Sequence, residues 1–194
     1  MFNYKGWMNK DLTSNIVVID SFLPKDIFYE LSEQVQQAEE YGCGFFREVT
    51  DDLWSKTQTL VFDRLKERGL YQDRFENKIG HTHFRPAGDS TTNVRLHCDN
   101  GGYVFFIHPD WDSSWEGQLI VDDQCLFPEP NRFVWINPQV YHRVVPVGLN
   151  AKHCRVSNIA FLNSRLDEFS INKFLTVREG VEPSRPARVI RETA

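Results

Sequence analysis

Ile27, Phe28, Leu31 and Val35 follow one another at three- and four-residue steps with polar residues between them. That spacing predicts an amphipathic helix over residues 24–40, with Pro24 tolerated in its first turn and Gly42 and Gly44 ending it. A second helix is predicted over 51–68. Acidic residues stand at its start, Leu53, Trp54, Leu60, Val61 and Leu65 supply its apolar positions, and Gly69 closes it. Ahead of both, the β-branched run at 15–20 reads as a short buried strand.

After about residue 75 the pattern changes to short β-rich runs, at 78–85, 92–98, 103–107, 118–121, 125–127, 132–136, 142–147 and 154–162. Turn signals separate them, among them Pro86-Ala-Gly-Asp, Asn100-Gly-Gly, Asp122-Asp123 and Gly148-Leu-Asn. Many short strands at this spacing predict an antiparallel sandwich or jelly roll in place of βαβ units. The expected architecture is mainly β with N-terminal helices. Its core is a cupin-like double-stranded β-helix at about 75–162, behind a helical layer at 24–68. Residues 1–176 then form a single domain. Residues 177–194 hold two prolines, four arginines and little apolar content, the composition of an arm or tail.

A chain of 194 residues is long enough for one proper core. Fifteen Phe and five Trp suit a broad apolar interior. The net charge of -5 argues against nucleic-acid binding, which needs a basic surface. Cysteines at 43, 98, 125 and 154 show neither a CxxC pair nor zinc-type spacing. No apolar run follows Lys5 and Lys10 as a signal peptide would require, and none spans a bilayer. The expectation is a cytoplasmic protein with reduced thiols, no membrane association and no nucleic-acid partner.

The chemistry concentrates in Asn93-Val-Arg-Leu-His97-Cys98-Asp99. Residues i and i+2 of a strand share a face, so His97 and Asp99 reach one ion together while Cys98 turns away. The best third ligand is His142, in Pro138-Gln-Val-Tyr-His142-Arg-Val-Val-Pro. Two imidazoles and a carboxylate on one face of an octahedron leave positions open, as in non-haem Fe(II) oxygenases. A second His-x-Asp, His108-Pro-Asp110, is bent out of its strand by proline. Alone, His97 would read as an ordinary histidine and Arg155 as a surface ion pair. Together they read differently. Segments 142–147 and 154–162 flank Gly148-Leu-Asn150 and are expected to form a hairpin that puts His142 opposite Arg155 on one face. A buried arginine beside a metal calls for an anion, and its fork suits a carboxylate. Ser157, two residues on, would add a hydroxyl.

These residues resemble the prolyl-4-hydroxylase-like 2-oxoglutarate/Fe(II) dioxygenases over roughly residues 75–162. His97-Cys-Asp99 is similar to that family's His-x-Asp, and Val104-Phe-Phe-Ile-His-Pro-Asp-Trp-Asp112 with Trp115-Glu-Gly-Gln-Leu119 to its strand, Asp-Trp loop and Gly-Gly-x-Leu strand. His142-Arg-Val-Val-Pro-Val147 matches the distal histidine strand, and Arg155-Val-Ser157 the co-substrate's basic residue. Glu116 departs from the usual glycine, a surface change. Phe106 stands where some relatives carry a tyrosine that also bonds the co-substrate, and His83 or Ser157 is expected in its place.

The resemblance implies Fe(II), 2-oxoglutarate and O2, with ascorbate as a further addition. His97, Asp99 and His142 would hold the metal, with Arg155 on the far carboxylate. The implied reaction is hydroxylation of an unactivated C–H bond coupled to decarboxylation of the keto acid. A peptidyl proline leads the substrate classes, with a free amino acid or other small metabolite as the alternative. Outside catalysis stands a silent cupin-like metal-binding module. Trp111 and Trp115 are expected to anchor the loop against the core.

Overall fold

The computed structural model describes residues 16–42, 44–45, 47–49, 51–68, 79–89, 96–98 and 101–162. It is mainly antiparallel β-sheet with two α-helices among these residues. Among the described residues no helix is long and apolar enough to cross a membrane. Residues 92–95 of the strand predicted at 92–98, the closing Gly69 and the arm at 177–194 lie outside the described residues; of 96–98, His97 forms an isolated bridge.

The first strand, β1, covers Ile16–Ile19, and the first helix, α1, covers Lys25–Gln37. Pro24 precedes α1, and its carbonyl accepts from the Phe28 N–H at 2.9 Å. The helix stops three residues before the predicted end. Ala38 turns extended, and a short 3-10 turn over Glu39–Gly42 takes up the remainder. The next strand, β2 (Arg47–Val49), falls where no strand was predicted. Two exposed side chains and a half-buried Val49 are too short a run to read as alternation, and pairing to residues 82–84 is what makes them extended. The second helix, α2, covers Asp52–Glu67. Asp51 caps it, its side chain accepting the Trp54 N–H at 3.0 Å, as an aspartate before a first turn should. Its buried face is Thr57, Gln58, Val61, Phe62 and Leu65. Leu53 and Leu60 pack only at its edge.

Seven further strands follow: β3 (Ile79–Arg85), β4 (Gly102–Phe106), β5 (Leu119–Val121), β6 (Gln124–Leu126), β7 (Phe133–Ile136), β8 (His142–Val144) and β9 (Arg155–Phe161). Two sheets result. One has six strands in the order β1-β7-β4-β9-β3-β2, and the other has three, β6-β5-β8. Every pairing is antiparallel.

The large sheet buries both faces, because strand alternation sends successive residues to opposite sides. One face, with Val17, Phe84, Phe105, Phe133 and Val156, packs under Phe28, Leu31, Val61 and Leu65 of the helices. Phe22 stacks on Phe133 there, with ring centroids 4.4 Å apart. The other face, with Val18, Phe106 and Val134, meets Leu119, Val121, Leu126 and Val144 of the small sheet. Between the two sheets the interior is incompletely filled.

The hairpin predicted from 142–147 and 154–162 does not form. β8 pairs with β5 in the small sheet, while β9 lies between β4 and β3 in the large one. The intervening segment spends its hydrogen bonds elsewhere. The Val145 N–H donates to Gln118, the Val147 carbonyl accepts from Gly88, and the Gly148 N–H donates to Trp115. Pro146 has no N–H to offer a ladder. The chain therefore crosses from one sheet to the other, and His142 and Arg155 are not cross-strand neighbours.

Candidate active site

The gap between the sheets is a cavity of about 240 Å³ with two dissimilar walls. His97 and His142 contribute from the small-sheet side, and His83, Arg85, Arg155 and Ser157 from the large sheet. Val104, Leu119, Ile136 and Val144 make much of the rest apolar. Although the hairpin fails, His142 and Arg155 reach this one cavity from opposite sides.

The two histidines are true cross-strand partners. The His97 N–H donates to the His142 carbonyl at 3.0 Å, and the His142 N–H returns the bond at 2.8 Å. Opposed residues share a face, and the ring centroids lie 4.4 Å apart. The His142 Nδ1 lies 3.0 Å from the Val140 carbonyl. A carbonyl only accepts, so Nδ1 carries the proton and Nε2 holds the lone pair, the tautomer a metal-ligating imidazole takes. Asp99 lies outside the described residues, and among those described no group of three metal-binding side chains converges. Cys98 is exposed with a free thiol.

The other His-x-Asp does not converge on anything. His108 is wholly buried. Its Nε2–H donates to the Pro128 carbonyl at 2.6 Å, and its Nδ1 accepts the Val156 N–H at 3.2 Å. Burial depresses its pKa to about 3. Asp110 instead takes the Nε2 of His153 at 2.8 Å. Trp111 and Trp115 pack edge to face at 5.3 Å around this loop, with Trp115 buried.

Arg155 is 2% exposed. One nitrogen, Nη1, donates to the Gly117 carbonyl at 2.8 Å, and its guanidinium lies over the Phe106 ring at 5.4 Å. Its Nε is buried with no hydrogen-bond partner among the described residues, and so is the Ser157 hydroxyl. Burial pushes the Arg155 pKa well below its ordinary value; Arg85 pushes the same way and Asp89 opposes. Gly117 makes the arginine's seat possible. Its φ is +75°, and an added Cβ would meet the Arg155 Cδ at 3.3 Å. Glu116, before it, is exposed as expected for a surface change, yet its φ is +58°, a conformation that suits glycine.

His83 and Ser157 stand opposite each other across β3 and β9, and Ser157 also faces Phe106 across β4. Ser157 thus sits beside the position at which some relatives carry tyrosine. The His83 Nε2 is 3.3 Å from the Glu48 carboxylate. Burial, with Arg85 and Arg155 nearby, lowers its pKa far below the usual histidine range, so the ring is neutral.

Sequence reasoning overlooked Arg85 and Asp89. Arg85 is 1% exposed, is the cross-strand partner of Arg155, and bonds Asp89 at 2.7 Å. A signal was present. His81, His83 and Arg85 alternate with Thr82 and Phe84, which puts three nitrogen-bearing side chains on one face of a strand. Asp89 was read only as part of a turn.

The sequence matches no protein-family model and no curated protein. Its structure does have solved counterparts. A Pseudomonas putida prolyl-4-hydroxylase superposes with a TM-score of 0.52 at 18% identity, over 79% of this chain and 94% of that one. The fold is that of the prolyl 4-hydroxylases. A prolyl 4-hydroxylase from Phytophthora capsici gives a TM-score of 0.51 at 14% identity, over 85% of this chain and 68% of the other. The backbone likeness agrees with the fold that the resemblance implies.

Proposed function

We propose that this protein is a 2-oxoglutarate- and Fe(II)-dependent hydroxylase whose two sheets form a double-stranded β-helix. The observation that carries the reading is the cavity itself. A buried arginine whose Nε has no hydrogen-bond partner among the described residues, and a serine whose hydroxyl likewise has none, share it with a cross-strand pair of histidines. A buried cation is costly without a counter-charge, and a carboxylate held by the guanidinium fork answers that cost.

The donor set fits the implied metal. His142 presents Nε2 by the tautomer its Val140 bond selects, and His97 is held beside it by two backbone hydrogen bonds. Asp99, two residues from His97, supplies the carboxylate of the facial triad in this reading. When bound there, iron and the keto acid would supply O2 activation and the oxidising power for C–H hydroxylation.

The protein's share is placement. Arg155 takes the far carboxylate and so fixes which end of the keto acid faces the histidines. Ser157 donates its hydroxyl to the same end, replacing the phenol that Phe106 lacks. Neutral His83 adds a polar edge without a charge. The apolar lining of Val104, Leu119 and Val144 excludes water. Fold similarity to prolyl 4-hydroxylases favours a peptidyl proline as the substrate, with a free amino acid or another small metabolite as the alternative.

The test is anaerobic addition of Fe(II) and 2-oxoglutarate, read as the weak visible absorption of the chelate, beside His97→Ala and Arg155→Ala. A band in the wild type that both variants lose at moderate keto acid supports the reading. Succinate release stimulated by proline peptides would then identify the substrate class. Iron binding without the band would leave a metal-binding module. No iron binding would sink the triad.

A further inference from the structure

The direction in which Arg155 points rests on one backbone carbonyl. Its guanidinium lies over the Phe106 ring at 5.4 Å, a contact that sets its plane but leaves it able to turn within that plane. What fixes the turn, among the described residues, is the bond from Nη1 to the Gly117 carbonyl at 2.8 Å. Nη1 is the terminal nitrogen on the Cδ side. With it engaged, the edge formed by Nε–H and Nη2 is the one left to meet a carboxylate through two parallel bonds. Nε itself is buried with no hydrogen-bond partner among the described residues.

That carbonyl belongs to an unusual turn. Glu116 has φ 58° and ψ −135°, a conformation that suits few residues with a side chain, and Gly117 follows at φ +75°. The peptide unit between them is held at both polar ends. The Gly117 N–H donates to the Pro146 carbonyl at 3.2 Å, and the Glu116 carbonyl accepts the indole N–H of Trp111 at 3.0 Å. Trp111 is braced in turn. It packs edge to face with Trp115 and His153, at centroid distances of 5.3 and 5.7 Å. It also lies 4.9 Å from the ring of His108, which is fixed by Val156 and Pro128. Yet Trp111 is not among the residues that line the cavity.

We propose that Trp111 is a positioning residue for Arg155. Its indole N–H keeps the Glu116–Gly117 peptide unit from turning over, and the Gly117 carbonyl then aims the two-donor edge of the guanidinium at the co-substrate's distal carboxylate. The proposal rests on the 2-oxoglutarate reading above and adds to it a residue that never touches the ligand. It also gives the strained Glu116 a reason to persist, because the surrounding bonds determine its conformation more strongly than its own side chain does.

The experiment compares two keto acids of equal chain length on the Fe(II)-loaded full chain without oxygen. 2-Oxoglutarate has the distal carboxylate and 2-oxopentanoate lacks it, so the ratio of their Kd values isolates that group. Trp111→Phe keeps a ring and removes the N–H. The preference for 2-oxoglutarate should fall roughly three- to tenfold, the value of one neutral hydrogen bond, with 2-oxopentanoate and iron binding nearly unchanged. Trp111→3-benzothienylalanine keeps the ring shape and replaces only the N–H by sulfur. It should show the same fall, and it stands in if the phenylalanine variant fails to fold. In an Arg155→Gln background, Trp111→Phe should change the ratio no further, because the route through the guanidinium is gone; a fall that persists there would overturn the proposal. So would both keto acids weakening together with the ratio intact, the mark of a merely structural role. A readout without metal runs beside these. The NMR resonance of the Arg155 Nε–H should shift in both Trp111 variants, and an unmoved resonance would also overturn the proposal. If the wild type shows no preference, the 2-oxoglutarate reading itself fails. If Arg155→Gln abolishes the preference while both Trp111 variants preserve it, only this inference fails.

Discussion

Gly117→Ala tests whether backbone geometry in the loop before β5 seats the buried arginine. Gly117 is buried at φ +75°, where an L-residue pays about 1–2 kcal/mol for its Cβ. The new methyl would lie 3.3 Å from the Arg155 Cδ, 3.3 Å from the Trp111 Cζ2 and 3.4 Å from the Val147 Cγ2. Three tight contacts at once add about 1 kcal/mol of overpacking. Against this, alanine restricts the unfolded chain and returns about 0.4–1 kcal/mol. The net loss is about 1–2.6 kcal/mol, or a Tm lowered by roughly 2–10 °C for a chain of this size. Thermal unfolding of the metal-free protein measures it. A second readout follows from the first contact. Arg155 must move by a few tenths of an ångström, so 2-oxoglutarate should bind several-fold more weakly to the iron-loaded variant. A Tm within about a degree of wild type, with keto-acid affinity unchanged, would refute the argument.

Glu116→Gly should act in the opposite direction: at φ +58° glycine relieves strain, and the Tm should rise by a few degrees, about 1 kcal/mol. His108→Leu removes the partners of the Pro128 carbonyl and the Val156 N–H. It should destabilise by about 2–4 kcal/mol while leaving iron affinity intact; loss of iron would show that the wrong His-x-Asp was chosen. His108 also makes stability pH-dependent. Its folded pKa of about 3 lies below the usual 6.5, so the unfolded chain binds the proton first. Stability from this group is complete above about pH 6.5 and falls as pH drops toward 3, by up to about 1.4 kcal/mol per unit. Urea melts at stepped pH should show that slope in the wild type and a shallower one in His108→Leu. Arg155→Gln should raise the Kd for 2-oxoglutarate on the order of a hundredfold, read by chelate titration; a change under threefold would discard Arg155 as the anchor.

Much of this was legible before any coordinates. Helical periodicity located α1 and α2, and short β-branched and aromatic runs between turn signals located β3 to β9 to within one to three residues, because both signals are local. The proline in His108-Pro-Asp110 separated that motif from His97 by local chemistry too. Which strands pair is not local. The segment after Val144 looked like a hairpin turn, but its hydrogen bonds go to Gln118, Gly88 and Trp115, and no window of sequence contains those partners. Tertiary structure alone set Arg85 against Arg155 across β3 and β9 and brought His97 opposite His142 from 45 residues away. The sequence by itself determined which residues could do chemistry and which face of an element each occupies. Only the packing of two sheets decided which of them meet, because the two sheets leave a gap between them. The charges facing it must find their partners there.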